Sequence, residues 1–191
     1  MENTLFAPIG LSGSGKSFYF KNKFLYDFPD VAEKLDQLGL SVSDITACPD
    51  LIRKEIFGDI NKGHTGYDAF TAWKIAEDRV RKYLNEYGFA IIDGVNVHGG
   101  GRNKFIKNFN VYKVAIVFRP DVDLSFKRIQ KDIENSVERV DVSFEVILRQ
   151  LDNFKRSVVG NSEWDGLWNQ KIKKQIATKL STHFDRIEFI N

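Results

Sequence analysis

The chain has 191 residues, of which 42% are apolar, a formal net charge of +2 and one cysteine, Cys48. This composition fits one globular domain with a sizeable core, and it excludes disordered, fibrous and disulfide-stapled classes. So small a charge, with bases and acids interleaved, does not by itself call for nucleic acid as a partner. His64, His98 and His183 have no metal-ligand spacing. No apolar run reaches membrane-spanning length, and Met1-Glu2-Asn3 lacks the basic start of a secretory signal. A soluble, intracellular protein is expected.

An apolar strand over residues 4–9 leads into Gly10-Leu11-Ser12-Gly13-Ser14-Gly15-Lys16-Ser17, which fits G-x-x-x-x-G-K-S/T at every fixed position. The glycines let backbone N–H groups turn inward as a nest for anionic oxygens. The helix expected to follow, to about residue 28, aims the positive end of its dipole at the same place. Lys16 can reach the outer phosphates of a nucleotide and the Ser17 hydroxyl can hold Mg²⁺. The loop therefore implies ATP or GTP as ligand.

Residues 29–38 have helical spacing and stop at Gly39, 40–48 alternate as a strand, and Pro49 opens a helix over 50–57. Asp50-Leu51-Ile52-Arg53 sits at that strand-to-helix passage, on the rim where doubly wound sheets bind ligands. A spacing of three puts Asp50 and Arg53 on one helix face. The acid can take a proton from an acceptor hydroxyl while the arginine holds an anionic group on the acceptor. After a polar loop over 59–65, residues 67–87 make a long helix with Phe70, Trp73, Ala76, Val80 and Leu84 on one face, capped by Gly88.

Phe89-Ala90-Ile91-Ile92-Asp93 reads as a buried parallel strand ending in a carboxylate, with Asp93 placed to hold Mg²⁺ through water near Ser17. Asn96 and Arg102 follow and are candidates for lining the acceptor site. Gly99-Gly100-Gly101 reads as a loop into a short helix over 102–109, and 114–118 as another strand. Residues 124–137, 143–158 and 167–180 are helical by pattern, and 186–190 make a last strand. Arg128 and Arg139 bracket a break between two helices, as a lid of about residues 125–145 would require; such a lid supplies mobile cations to a transferring phosphoryl group. Arg139 is favoured over Arg128, because it falls at the break. Trp164 and Trp168 are expected in the core.

Strands alternating with helices predict a single α/β domain over 1–191 with a parallel sheet covered on both faces. No guanine-reading N-K-x-D stretch occurs, and motors or AAA-type machines are usually longer, with paired acids where this chain has Asp93 alone. A kinase of small or nucleic-acid substrates fits these features.

The ordered set Gly10–Ser17, Asp50-Leu51-Ile52-Arg53, Asp93-Gly94-Val95-Asn96 with Arg102, and Arg128 to Arg139 before Val146-Ile147-Leu148-Arg149 resembles one P-loop kinase group. That group contains the 5′-kinase domain of bacteriophage polynucleotide kinase and many phage and bacterial predicted kinases. The resemblance spans roughly residues 4–156. It implies a five-stranded parallel sheet ordered 2-3-1-4-5 and ATP with Mg²⁺. It also implies Asp50 as general base, Arg53 on acceptor phosphate and Arg139 on donor phosphates. No D-x-D-x-T/V phosphatase stretch follows. The implied acceptor is a polynucleotide 5′-hydroxyl; a small-molecule acceptor (nucleoside, nucleotide, sugar acid or antibiotic) and a non-catalytic nucleotide-binding module remain alternatives.

Overall fold

The structure, a computed structural model, describes residues 2–63, 65–135, 137 and 139–191. Five parallel strands are ordered β2-β3-β1-β4-β5: β1 Thr4–Ile9, β2 Thr46–Ala47, β3 Phe89–Ile92, β4 Tyr112–Phe118 and β5 Arg186–Ile190. This is the expected 2-3-1-4-5 order with helices on both faces, a P-loop kinase-like fold. The central β1 is in register with β3 from Thr4 opposite Phe89 and with β4 from Thr4 opposite Tyr112. Side chains alternate across it: Leu5, Ala7 and Ile9 enter one apolar cluster and Phe6 the other, so both faces of the strand are buried.

On the Phe6 face lie α1 Lys16–Asn22, α2 Phe24–Asp27 and α3 Pro29–Leu38. The single helix expected over 16–28 is broken at Lys23, whose φ of −128° leaves the helical range. The break lets Phe24 and Phe28 both meet the Phe6 ring, with centroids 5.0 and 4.9 Å away. The strand expected over 40–48 shrinks to β2, because a 3₁₀ turn over Val42–Ile45 takes its first half. That turn is fixed by a capping box in which the Asp44 carboxylate accepts from Ser41 N–H (2.8 Å) and the Ser41 hydroxyl (2.6 Å).

The opposite face carries α4 Pro49–Phe57, α5 Gly66–Tyr87, α6 Gly99–Ile106, α7 Val122–Glu134, α8 Phe144–Phe154 and α9 Gln170–Leu180. Helix α5 buries Ala72, Ala76, Val80 and Leu84; Phe70, expected on that face, is exposed. The three glycines expected as a loop form the first turn of α6. His98 Nδ1 accepts from Gly101 N–H at 3.2 Å, and Ser157 comes so near that a Cβ on Gly99 would lie 2.9 Å from its Cβ. Beyond α8 a π turn, Lys155–Val159, buries Val158 and Val159. Trp164 is buried and Trp168 half-buried against Phe154, as core residues. Helix α9 starts at Gln170, not 167, because the Asn169 side chain caps Ile172 N–H at 3.0 Å.

All five strands end on one rim, so α1, α4 and the chain after β3 start from the same edge. No described helix is long and apolar enough to cross a membrane. Phe24 is fully buried among Phe6, Tyr19, Phe20 and Phe28. Phe24→Ala should lower the unfolding free energy by about 3–5 kcal/mol in denaturant titration, and a loss under about 1 kcal/mol would contradict this packing.

Candidate active site

The chain leaves β1 at Ile9 and is caught at once: Gly10 N–H donates to Val95 O at 3.0 Å, binding the loop to the segment after β3. Ser14 N–H closes a turn on Leu11 O at 3.1 Å. Gly13 and Gly15 have φ of +77° and +96°, a region that side chains disfavour. At Gly13 a second reason applies, because a Cβ there would overlap the main-chain carbonyl of Ser125 on α7. Helix α1 starts at Lys16, and the amides of Gly13, Gly15, Lys16 and Ser17 have no acceptor among the described residues. That is the concave, donor-rich nest the motif requires.

Lys16 folds back over this loop. Its Nζ donates to Gly10 O (3.1 Å), Leu11 O (2.6 Å) and Ser14 Oγ (3.4 Å). Burial of the ammonium lowers its pKa from 10.5 to about 8, against the pull of Asp93 and Asp50 and with a push from Arg139. Asp93 N–H continues the ladder onto Ala47 O at 2.9 Å, which sets its carboxylate at the rim. Burial raises the Asp93 pKa, Lys16 opposes that rise, and Asp50 adds to it. Cys48, N-cap of α4, is held as an unreactive thiol, its pKa pushed up to about 12 by burial and the neighbouring Asp93.

Asp50 lies in the first turn of α4, behind Pro49, with its side chain about half exposed. Arg53, one turn on, is buried and donates to the Asp50 carboxylate; its Nε has no partner among the described residues. On the far side, Arg128 Nη1 reaches Gly13 O at 3.4 Å, and Arg139 Nη1 donates to Asp132 at 2.5 Å while its buried Nε has no partner among the described residues. Arg139 lies in the connection between α7 and α8, and Asp141 N–H there donates to Asn61 Oδ1 at 2.9 Å, across from the α4–α5 loop. Ser136 and Glu138, within the expected lid, lie outside the described residues, as do Met1 and His64.

One cavity of about 760 Å³ brings Ser12, Gly13, Ser14, Gly15, Lys16 and Ser17 together with Asp50, Asp93, Arg128 and Arg139. Gly10 lies outside it: a Cβ there would meet Phe118 Cβ at 2.9 Å, so its role is a close approach of backbone to β4. Three expectations need correction. Arg53 does not line the cavity; it stands behind Asp50 and orients it. Asn96 adopts φ +52° and gives its amide to Pro8 O (2.9 Å), Ile92 O (3.2 Å) and Gly94 O (3.3 Å). Arg102 is buried, donating to Asn96 O (2.9 Å), Asn103 Oδ1 (3.2 Å) and Ser157 O (3.4 Å), and burial lowers its pKa to about 10. Both brace the loop after β3, and neither lines the cavity.

A family model described as an AAA domain matches residues 5–157. The chain belongs to this family. Its length and the single acid at Asp93 had pointed away from AAA-type machines, and this AAA domain does have a kinase-like sheet order. A search of the curated proteins found no match. Among solved structures, the chain is similar to shikimate kinase from Acinetobacter baumannii in complex with shikimate, at 12% identity, TM-score 0.45, covering 99% of this chain and 84% of that one. It is similar to the Deinococcus radiodurans tunicamycin resistance protein at 14% identity, TM-score 0.44, covering 93% and 95%. It is also similar to deoxyadenosine kinase from M. mycoides, at 15% identity, TM-score 0.40, covering 93% and 97%. Likenesses this distant decide nothing about activity.

Lys16 gives the AAA domain two opposite pH dependences. A phosphate ligand favours the ammonium, so triphosphate affinity should weaken above pH 8, by at most about ten-fold per pH unit, as Lys16 deprotonates in the free protein. For folding the sign reverses. The unfolded chain holds this proton up to 10.5, so the cost of burying the ammonium is present at neutral pH and is relieved between about 8 and 10.5. Calorimetric titration of ATP between pH 7 and 9.5 checks the first; a flat profile would contradict the burial of Lys16.

Proposed function

We propose that this protein is an ATP-dependent kinase whose acceptor is the 5′-hydroxyl of a polynucleotide. The observation that carries kinase activity is that a half-exposed carboxylate, Asp50, shares one cavity with the glycine-lined nest and Lys16. The acceptor class is supported by the resemblance at Asp50-Leu51-Ile52-Arg53 and rests on nothing further. The choice of ATP over GTP rests on the resemblance and on the missing N-K-x-D stretch.

In this reading the amides of Gly13, Gly15, Lys16 and Ser17 hold the β and γ phosphates, and Lys16 exchanges its loop carbonyls for phosphate oxygens. Asp50, held by Arg53, accepts the proton of the acceptor hydroxyl. That oxygen bonds to the γ phosphorus, the bond from phosphorus to the ADP oxygen breaks, and the products are ADP and a phosphate monoester. Arg128 and Arg139 offset charge spreading onto the transferring group, Arg139 by releasing Asp132. Ser17 Oγ and the Asp93 carboxylate are hard oxygen donors that would hold Mg²⁺, which would supply positive charge to offset that of the phosphates.

Transfer of labelled γ-phosphate should be tested on 5′-hydroxyl oligonucleotides beside a panel of small metabolites. Label on the oligonucleotide supports the full reading; label on a metabolite alone replaces the acceptor. Asn at position 50 keeps an oxygen for Arg53 but loses the base, so Asp50→Asn should lower turnover by about 10²–10⁴-fold. Unchanged turnover in that variant would remove Asp50 from the mechanism.

A further inference from the structure

Ser12 has a partner far away in sequence. Gln150, in the middle of α8, accepts from Ser12 N–H through Oε1 at 2.8 Å and donates through Nε2 to Ser12 Oγ at 3.0 Å. Both ends of one side-chain amide are therefore spent on one residue of the phosphate loop. Helix α7 clasps the same loop from the other side of the lid connection. The Ser125 carbonyl sits against Gly13, and Arg128 Nη1 reaches Gly13 O. Helices α7 and α8 flank the segment that carries Arg139. The loop that would hold the donor phosphates is thus fastened to both roots of the lid.

We propose that Gln150 is a positioning residue for the donor nucleotide: it fixes the entry to the phosphate nest through Ser12 and ties that entry to the lid helix α8. The inference rests on the nucleotide-binding reading of the loop and goes beyond it, since neither the motif nor the arginines call for a glutamine here. Two features make the side chain specific. An acceptor must face Ser12 N–H, which would otherwise be a part-buried donor without a partner. The group must also be neutral, because the nest beside it collects anionic oxygens and a carboxylate there would repel them. Glutamine meets both needs, with a donor left for the Ser12 hydroxyl. Glutamate meets only the first.

The test uses the full chain, with ATP and Mg²⁺ as the probe. Gln150→Ala should raise the Kd and KM for ATP about ten-fold, the scale of two lost hydrogen bonds, with kcat at saturation within about two-fold of the wild type. Gln150→Glu still accepts from Ser12 N–H and from the Ser12 hydroxyl. It should bind ATP poorly at low salt and recover most of the lost affinity at about 0.5 M salt, where the added charge is screened. Thermal unfolding without nucleotide is recorded for both variants, and a purely structural role would shift the melting temperature and leave KM unchanged. Gln150→Ala binding ATP within about two-fold of the wild type overturns the proposal. So does failure of Gln150→Glu to recover at any salt, because the loss would then be one of packing. Wild-type protein that binds no nucleoside triphosphate removes the functional reading and Gln150's role together, whereas tight ATP binding indifferent to Gln150 removes this inference alone.

Discussion

An ammonium group held inside a turn of backbone is the constraint on which the rest depends. Removing a lysine charge from water is unfavourable unless its donors are satisfied, and here the loop's own carbonyls, Gly10 O and Leu11 O, satisfy them. To present those carbonyls the chain must turn sharply straight out of β1, which requires Gly13 and Gly15 in the left-handed region. It must also be fastened at Gly10, Ser12 and Gly13 by three separate parts of the fold. The preorganised nest follows from that fastening: backbone N–H groups are already aimed before an anion arrives.

The charges nearby form a graded set. Lys16 and Asp93 each restrain the other's pKa shift, while burial moves both toward neutrality. Asp50, half exposed and held by an arginine behind it, stays open to a partner from the cavity side. Arg139 is paired with Asp132, and its buried Nε has no partner among the described residues. Arg53 and Arg102 are buried and act on structure, Arg53 on a carboxylate and Arg102 on carbonyls.

Much of this was legible in the sequence for physical reasons. Strand β1 and helix α3 have strong local signals, an apolar run and a proline start with a glycine stop, and they fall where expected. The phosphate loop was legible because its glycines and lysine answer to backbone geometry. The strand before Asp50 was overcalled, since a Ser41–Asp44 capping box competes locally with alternation. Arg102 and Asn96 clasp backbone carbonyls, which a loop position in the sequence does not reveal. Gln150 left no sequence signal at all: its partner is 138 residues away, and only tertiary packing joins them.

The most direct test of the central claim is a crystal structure with Mg²⁺ and a slowly hydrolysed ATP analogue. The account predicts the β and γ phosphates on the amides of residues 13–17, Lys16 Nζ moved from Gly10 O and Leu11 O onto phosphate oxygens, and the terminal phosphoryl group facing Asp50 with room for one intervening hydroxyl. A nucleotide bound elsewhere, or a γ phosphate turned away from Asp50 with Lys16 still on its carbonyls, would contradict it.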